Sequence, residues 1–307
     1  MKFESCLTAC LATAVGVLVL TGCSHSQAPD LVNEIAFALD GVSEVVISYD
    51  EEAVTFHESE SDELIIREYM TENKSSYYAK VEQSGGSIKI HEGGKPLFKN
   101  GFSRRVAVYL PKSYHEALTV TTTEGDLDFS ELALELNVLR IDSTAGTVTL
   151  SAAEAQEIHL STTSGIFNAD RLKADTIRVD TTSGDFCCER LAGSVAYTTT
   201  SGNADIRSAA GSGSYQAKNS GELRVVYTEV TGDLSFLNKN DDIHVTLSAD
   251  LEFAFEATTK NGTVSTTFPE SVSLEGRTAR GVIGAHPAVT VKAETNNGNI
   301  AVSNEAA

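Results

Sequence analysis

Hydrophobic and polar residues alternate along much of the chain, and the alternation is organised around a repeated Ser-Gly pair. Within residues 177–206, apolar residues stand seven and five positions before each glycine and two and four positions after it. Around Gly184 these positions hold Ile177, Val179, Phe186 and Cys188. A period of two on both sides of a glycine turn indicates β-strands with one buried face.

The same pattern recurs from residue 118 onward, first at intervals of 21, 19, 19, 18 and 19 residues and then more loosely. One later copy centres near Asn240 and Asp241, and residues 269–287 form an apparent insertion. The predicted turn glycines are Gly125, Gly146, Gly165, Gly184, Gly202, Gly221, Gly262 and Gly298. Units of about 20 residues that cannot bury their own apolar face are typical of a stacked solenoid. We therefore predict an all-β fold, a single-stranded parallel β-helix or β-solenoid, with rungs of about 19–21 residues and a less regular N-terminal β cap.

The strongest alternative is a series of β-hairpins with Thr-Ser-Gly as the turn. The parallel coil is favoured because a third segment, such as residues 189–194, follows each strand pair and returns the chain to its starting position. Equivalent side chains would then lie about 4.8 Å apart in successive rungs. Hydroxyl groups three positions before the glycines would form a column that hydrogen-bonds laterally. Its members are Thr122, Ser143, Thr162, Thr181 and Thr199.

Three local features follow from the coil. The turn glycines suggest corners of positive φ, so Gly184→Val is expected to cost roughly 1–3 kcal/mol of backbone strain. Before Gly221, Tyr215 and Ala217 stand one place nearer than the rule requires, which predicts a β-bulge. The last coil, near Val302, is expected to end the stack with an exposed edge.

The N-terminal segment has the pattern of an export signal. An apolar stretch over residues 11–20 has the length of a signal-peptide core and is followed by Leu-Thr-Gly-Cys23. This run resembles a bacterial lipobox, which implies cleavage before Cys23 and its acylation, although an ordinary secretory signal remains the alternative. Two or more acyl chains hold a protein on a membrane stably. We predict a lipoprotein signal peptide over 1–22, a lipidated tether over 23–34, an N-terminal β region over 35–112, solenoid repeats over 113–303 and a tail over 304–307.

Cysteine usage fits this division of the chain. After removal of the signal and use of the anchor, only Cys187 and Cys188 remain. The alternation directs Cys188 inward and Cys187 outward, so a bond between these neighbours would distort the strand. No histidine stands at ligand spacing nearby, so neither a metal site nor a cofactor is predicted.

The charge balance limits the classes of partner. The chain has 307 residues and a net charge of -20, from 43 acidic and 23 basic residues. Nucleic acid is excluded as a partner because its phosphates need Lys and Arg. Electrostatic docking on anionic lipid is disfavoured for the same reason. The expected partners are the membrane, through the lipid anchor, and an unknown protein or glycan at the cell surface.

Outward positions supply the candidate chemistry. Arg140, His159 and Arg178 fall on successive rungs beside Asp142 and Asp180, a candidate ligand patch for a carboxylated sugar or an acidic partner. The alternative is a set of surface ion pairs, each contributing little.

Other acidic residues offer weaker candidates. Two carboxylate pairs could flank a glycosidic bond, but no apolar neighbour would raise either pKa; they are Asp126 with Asp128 and Asp185 with Asp205. An acidic cluster lacks calcium-loop spacing and is predicted to form solvated turns; it contains Glu51, Glu52, Glu58, Glu60, Asp62 and Glu63. No catalytic motif is present, so no catalytic residue is assigned.

The lipobox, the opening over residues 44–56, the strand ending at Pro111 and the serial Thr-Thr-Ser-Gly rungs resemble the bacterial putative-adhesin family over roughly residues 35–303. The resemblance implies an envelope lipoprotein with a β-solenoid domain of unknown function, and it supplies no catalytic residues. Three functions remain open: a non-catalytic structural, adhesion or interaction module; a carbohydrate-active β-helix enzyme; and an envelope-stress or signalling accessory.

Overall fold

The computed structural model describes residues 28–98, 101–268 and 272–304, and these ranges consist mainly of β-strands. The predicted signal peptide and Cys23 lie outside them. The N-terminal strands are β1 (Asp30–Ala38), β2 (Glu44–Ser48), β3 (Ala53–Glu58), β4 (Glu63–Met70), β5 (Lys80–Ser84), β6 (Ser87–His91) and β7 (Arg104–Leu110), with a 3-10 turn at Ser75–Tyr77. The central strands are β8 (Ala117–Thr122), β9 (Leu127–Ser143), β10 (Thr147–Thr162), β11 (Ile166–Thr181), β12 (Phe186–Thr199), β13 (Ala204–Ala217) and β14 (Leu223–Asn238). The C-terminal strands are β15 (Ile243–Leu247), β16 (Phe253–Thr259), β17 (Val264–Thr266), β18 (Val272–Glu275), β19 (Thr278–Ile283), β20 (Val289–Thr295) and β21 (Ile300–Asn304).

The central strands stack in parallel, each on the equivalent residues of the rung before it. Val179 of β11 pairs with Leu160 of β10 on one side and with Tyr197 of β12 on the other. All three side chains are buried in one continuous core. The predicted β-solenoid is confirmed, and the hairpin alternative is wrong.

Each long strand bends twice, so a rung has three sides. In β11 the buried positions alternate by two but slip by one residue at 170–171 and again at 175–176. Leu172 and Ala174 line the middle side, which is the third segment predicted from the repeat. The bends let each rung enclose its apolar face without a helix or a second sheet.

The turn glycines are required for close stacking more than for unusual backbone angles. Among them only Gly146 and Gly221 have positive φ, of 91° and 121°, so the expectation of positive φ at Gly184 is wrong. A Cβ atom at Gly184 would lie 2.1 Å from the carbonyl oxygen of Gly165 and 2.6 Å from Cγ2 of Thr162. At Gly202 it would lie 1.9 Å from the carbonyl oxygen of Gly184. The corner is therefore a column of glycines in which each α-carbon rests on the carbonyl group below.

We expect Gly184→Ala to destabilise the protein by about 3 kcal/mol, because the new methyl group must separate two rungs. Gly276 is the matched control: its φ is +64°, yet a Cβ atom there meets nothing within 4 Å. Gly276→Ala should cost about 1 kcal/mol, from backbone strain alone. Urea unfolding of both variants measures the difference, and equal losses would refute the stacking explanation.

The hydroxyl column is stacked as predicted, but most of its hydrogen bonds run within a turn. Thr181 Oγ1 donates laterally to Thr199 Oγ1 at 2.8 Å. Elsewhere the hydroxyl oxygen accepts the amide of its own turn glycine, as from Gly165 to Thr162 at 2.8 Å and from Gly125 to Thr122 at 2.9 Å. Thr122 Oγ1 also donates laterally, to the carbonyl oxygen of Asp50 at 3.1 Å, so lateral bonds occur beside those within the turns.

The bulge predicted before Gly221 is also corrected. Tyr215 pairs with Tyr197, and Ala217 pairs with Thr199, with no shift of register between β12 and β13. The extra residue lies in the turn between β13 and β14. Register shifts do occur farther back, between residues 206 and 213 of β13 and their partners in β14.

The order of rungs at both ends departs from chain order. At the N-terminal end, β2 lies between β6 and β8, and β3 lies between β7 and β9. At the other end, β20 lies between β14 and β16, and β21 lies between β15 and β17. The coil near Val302 is therefore enclosed, and the expectation that it ends the stack is wrong.

Antiparallel strands cover much of both ends. β4 pairs with β7, and β1 pairs in turn with β4. At the opposite end β19 pairs with β16 and β18 with β19, so the insertion recognised in the sequence forms a hairpin that covers an edge. Because β1 begins at Asp30, residues 30–34 belong to the sheet and not to the predicted tether.

Candidate functional site

The predicted ligand patch is assembled on the outer face of the central rungs. Arg140, His159 and Arg178 occupy matched positions in β9, β10 and β11. Asp142 and Asp180 lie two residues further along, on either side of Ser161. The register alone brings these five side chains together.

Asp180 is the centre of an ion-pair network within the patch. Arg178 donates through Nη2 to Asp180 Oδ1 at 3.2 Å and through Nε to the other oxygen. His159 Nε2 lies 3.2 Å from Asp180 Oδ2. The hydrogen bond and charge of Asp180 raise the pKa of the Arg178 guanidinium. These pairs match the alternative of alternating surface charges and leave little of Asp180 free to bind a ligand.

Arg140 and Asp142 differ from the other members of the patch. Among the residues that the structure describes, neither forms an ion pair. Arg140 is exposed and Asp142 is half-buried. Of the five predicted residues, these two keep their charges available to an external partner.

Three of the four carboxylates considered for glycoside cleavage accept hydrogen bonds from backbone amides. Asp126 Oδ1 accepts the amide of Thr147 at 2.7 Å, and Asp185 Oδ1 accepts the amide of Asn203 at 2.9 Å. Asp128 Oδ1 accepts the amide of Ser130 at 2.8 Å. Two of these bonds join equivalent turns of neighbouring rungs. At these turns a side-chain oxygen accepts the inter-rung hydrogen bond that a backbone carbonyl accepts along the strands.

The buried position predicted for Cys188 is confirmed, whereas Cys187, expected to be exposed, is partly covered. Cys188 is 3% exposed and Cys187 is half-buried, and both are free thiols. Burial raises the pKa of the Cys188 thiol to about 12. Cys188 is therefore a small apolar core residue and an inert thiol at neutral pH.

A buried ion cluster in the N-terminal region was missed by sequence reasoning. It consists of Glu52, Glu92, Lys95 and Arg104. The Arg104 side chain is fully buried, and its Nη1 lies 3.0 Å from Glu92 Oε1. Lys95 Nζ lies 2.7 Å from Glu92 Oε1 and 3.3 Å from Glu52 Oε1. Glu52 is only 6% exposed, so its predicted place in a solvated turn is wrong.

The pKa values of the two carboxyl groups in the cluster are shifted in opposite directions. Burial, followed by the hydrogen bond and charge of Glu92, raises the pKa of Glu52. Burial also raises the pKa of Glu92, but hydrogen bonds from Lys95 and the amide of Asp50 outweigh it and lower the pKa overall. Glu52 is therefore the group that holds a proton more readily, and Glu92 is the ionised partner of the two cations.

Hydrogen bonds also fix the cluster to the backbone around it. Arg104 Nη2 donates to the carbonyl oxygens of Tyr77 at 2.9 Å and Gly94 at 2.7 Å. Glu92 Oε2 accepts the amide of Asp50 at 2.8 Å. The cluster thereby joins the turn before β3, the loop between β6 and β7, and the 3-10 turn. Its members are 52 residues apart at most, which explains why no local motif revealed it.

A second buried carboxylate holds the first strand in place. Glu68 of β4 is 0% exposed. It accepts hydrogen bonds from Asn33 Nδ2 and from the amide of Ala79, both at 2.8 Å. It also accepts one from the Tyr49 hydroxyl at 3.3 Å. Burial, and then the charge of Glu68, raise the pKa of Tyr49, so the hydroxyl stays a donor.

Residues 28–98, 101–268 and 272–304 contain neither a grouping of metal ligands nor a membrane-spanning helix. In these ranges no group of three or more His, Cys, Asp or Glu side chains is arranged to hold a metal ion. The same ranges contain no helix with the length and apolar character needed to cross a membrane.

Solved structures similar to this chain include a putative adhesin from Bacteroides fragilis, with 11% identity over 88% of this chain and 96% of that chain and a TM-score of 0.43. A putative adhesin from Parabacteroides distasonis has 13% identity over 88% of this chain and 96% of that chain, with a TM-score of 0.38. A putative cell adhesion protein from Clostridium sporogenes has 9% identity over 89% of this chain and 99% of that chain, with a TM-score of 0.25. No curated protein matches the chain. The family model called Toastrack DUF4097 matches residues 42–303, and the chain therefore belongs to the Toastrack DUF4097 family.

Proposed function

We propose that the chain is an envelope lipoprotein, anchored through Cys23, whose solenoid is a non-catalytic structural, adhesion or interaction module. The observation that carries the proposal is the position of Cys23, directly after an apolar signal-like stretch and seven residues before the first strand at Asp30. Seven residues span at most about 25 Å when fully extended. Acylation of Cys23 would therefore hold the N-terminal end of the solenoid close to the bilayer.

The outer surface supports an interaction role. Matched positions of successive rungs present the same face at a spacing of about 4.8 Å, which gives an extended contact surface. The free charges of Arg140 and Asp142 lie on that face, while Asp180 is bonded to Arg178 of its own strand and to His159 of the preceding rung. A partner that presents a carboxylate to Arg140, such as an acidic protein segment or a carboxylated glycan, fits this arrangement.

The roles found for the carboxylates favour this function over glycan cleavage. Asp126 and Asp185 serve as acceptors for turn amides, so neither is free to act as an acid or nucleophile without loss of a rung contact. An envelope-stress or signalling accessory would use the same anchor and surface, and it differs from an adhesive module in its partner.

Anchoring is tested by growing the producing bacterium with an alkyne analogue of palmitate and detecting label on the full chain. We expect label on the wild-type protein and on Cys187→Ala, and none on Cys23→Ala. Cys187→Ala is the matched control because it removes a half-exposed thiol outside the signal region. Label that persists in Cys23→Ala would contradict the anchor.

Turnover of a uronic-acid polymer that is lost in Asp142→Ala or Asp180→Ala would instead establish the carbohydrate-active alternative.

A further inference from the structure

Two adjacent large apolar side chains are almost fully exposed on the loop between β6 and β7. Leu97 is 97% exposed and Phe98 is 84% exposed. The other large apolar side chains exposed in the described residues reach at most 49%. A contiguous pair of this kind is unusual on a soluble surface and marks a contact site.

The first residues of this loop are hydrogen-bonded to neighbouring parts of the fold. The amide of Glu92 donates to the Ser48 carbonyl at 2.9 Å, and the amide of Gly94 donates to the Ser76 carbonyl at 2.9 Å. Arg104, which follows the loop, donates back to the Gly94 carbonyl at 2.7 Å. The buried ion cluster thus holds the base of the loop while the apolar pair projects from it.

The strand that follows this loop begins near Asp30, the first residue of β1. Asp30 pairs with Met70 of β4, and Met70 pairs with Arg104 of β7. Two strand spacings separate Asp30 from Arg104, which is about 10 Å. Asn33 fixes β1 to the buried carboxylate of Glu68, so this relation is rigid.

We propose that Leu97 and Phe98 insert into the interfacial layer of the membrane that carries the lipid anchor. The proposal rests on acylation of Cys23, because the short chain between Cys23 and Asp30 keeps this end of the solenoid within reach of the bilayer. Residues 93–98 carry no carboxylate, and the neighbouring Glu52 and Glu92 carboxylates are paired with Lys95 and Arg104, so this stretch meets lipid with little acidic repulsion. Apolar side chains at such an interface bury into the boundary between headgroups and acyl chains. The contact adds a second point of attachment and orients the solenoid on the membrane.

The chain contains no tryptophan, so Phe98→Trp introduces one reporter into the full-length protein. The variant is purified with its lipid and reconstituted in phosphatidylcholine vesicles, with or without brominated acyl chains. We expect its emission to shift to shorter wavelength on reconstitution and to be quenched by the brominated lipid. Val282→Trp is the control, because Val282 is 49% exposed on β19 at the opposite end of the solenoid. The fluorescence of this tryptophan should be neither shifted in wavelength nor quenched by the brominated lipid.

Vesicle flotation separates the two possible failures. If Phe98→Trp floats with the vesicles but is neither shifted nor quenched, the membrane contact is wrong while the anchor stands, and the exposed pair serves a protein partner. If the protein does not float, the anchor is wrong and the inference fails with it. Equal quenching of Val282→Trp would also overturn the proposal, because it would mean that both ends of the solenoid lie on the membrane.

Discussion

Replacing Val179 by aspartate is expected to destabilise the solenoid by at least about 4 kcal/mol. The Val179 side chain is 0% exposed and lies between Leu160 and Tyr197 in the continuous core. Leu160 has no polar group, and the Tyr197 hydroxyl already donates to the carbonyl oxygen of Gly202 at 3.2 Å, so neither stacked neighbour offers a free partner for a carboxylate. The aspartate must either stay ionised without a partner or take up a proton, and both cost free energy of folding.

The matched control is Ala196→Asp on the next rung. Ala196 is exposed and pairs with Arg178 across the outer face, so a carboxylate there meets water and a cation. Its effect on the free energy of unfolding should stay within about 0.5 kcal/mol. Denaturant unfolding of the two variants gives the comparison. A Val179→Asp midpoint close to that of Ala196→Asp would show that residue 179 is not a core position.

Replacing Arg104 by alanine is expected to cost about 3–5 kcal/mol, because it breaks a buried ion cluster by removing one partner. The ionised Glu92 would keep Lys95 but lose the fully buried guanidinium beside it. The carbonyl groups of Tyr77 and Gly94 would also lose their donor. The loss comes from the uncompensated charge and unpaired acceptors, not from the favourable energy of the pair alone.

Arg105→Ala is the control for this prediction, since Arg105 follows Arg104 on the same strand and is exposed. Its guanidinium lies 5.7 Å from the ring centroid of Tyr69, a contact contributing about 0.5–1 kcal/mol. Thermal or urea unfolding should therefore separate the two neighbours clearly. Equal losses would mean that the cluster contributes no more than a surface contact.

The regular part of the fold follows from the sequence because its determinants are local. Each rung repeats the same alternation around a glycine turn, so one register places every inward and outward residue. Phe186, Tyr197 and Cys188 are buried as the alternation predicts. The candidate patch around His159 followed from the same register, and its members are neighbours in the structure.

The departures arise where the determinants are not local. The pattern shows that β20 and β21 are rungs, but nothing in it records that they insert between rungs formed by earlier segments. The ion cluster joins Glu52 to Arg104 through a loop, and each residue alone is indistinguishable from a surface charge. The sequence suggests positive φ at the glycine corner, because the distance to the carbonyl group of the preceding rung cannot be obtained from one strand.

The central claim is that residues about one rung apart lie side by side, and a thiol-bridging experiment tests it most directly. In the solenoid Arg178 neighbours Ala196, whereas in a hairpin around Gly184 it would face Cys187. The full-length variant Arg178→Cys/Ala196→Cys, with Cys187→Ser, is treated with dibromobimane beside Arg178→Cys alone, which retains Cys187. Our account predicts a fluorescent bridge between positions 178 and 196 and none between 178 and 187. A bridge from 178 to 187, with none to 196, would contradict it.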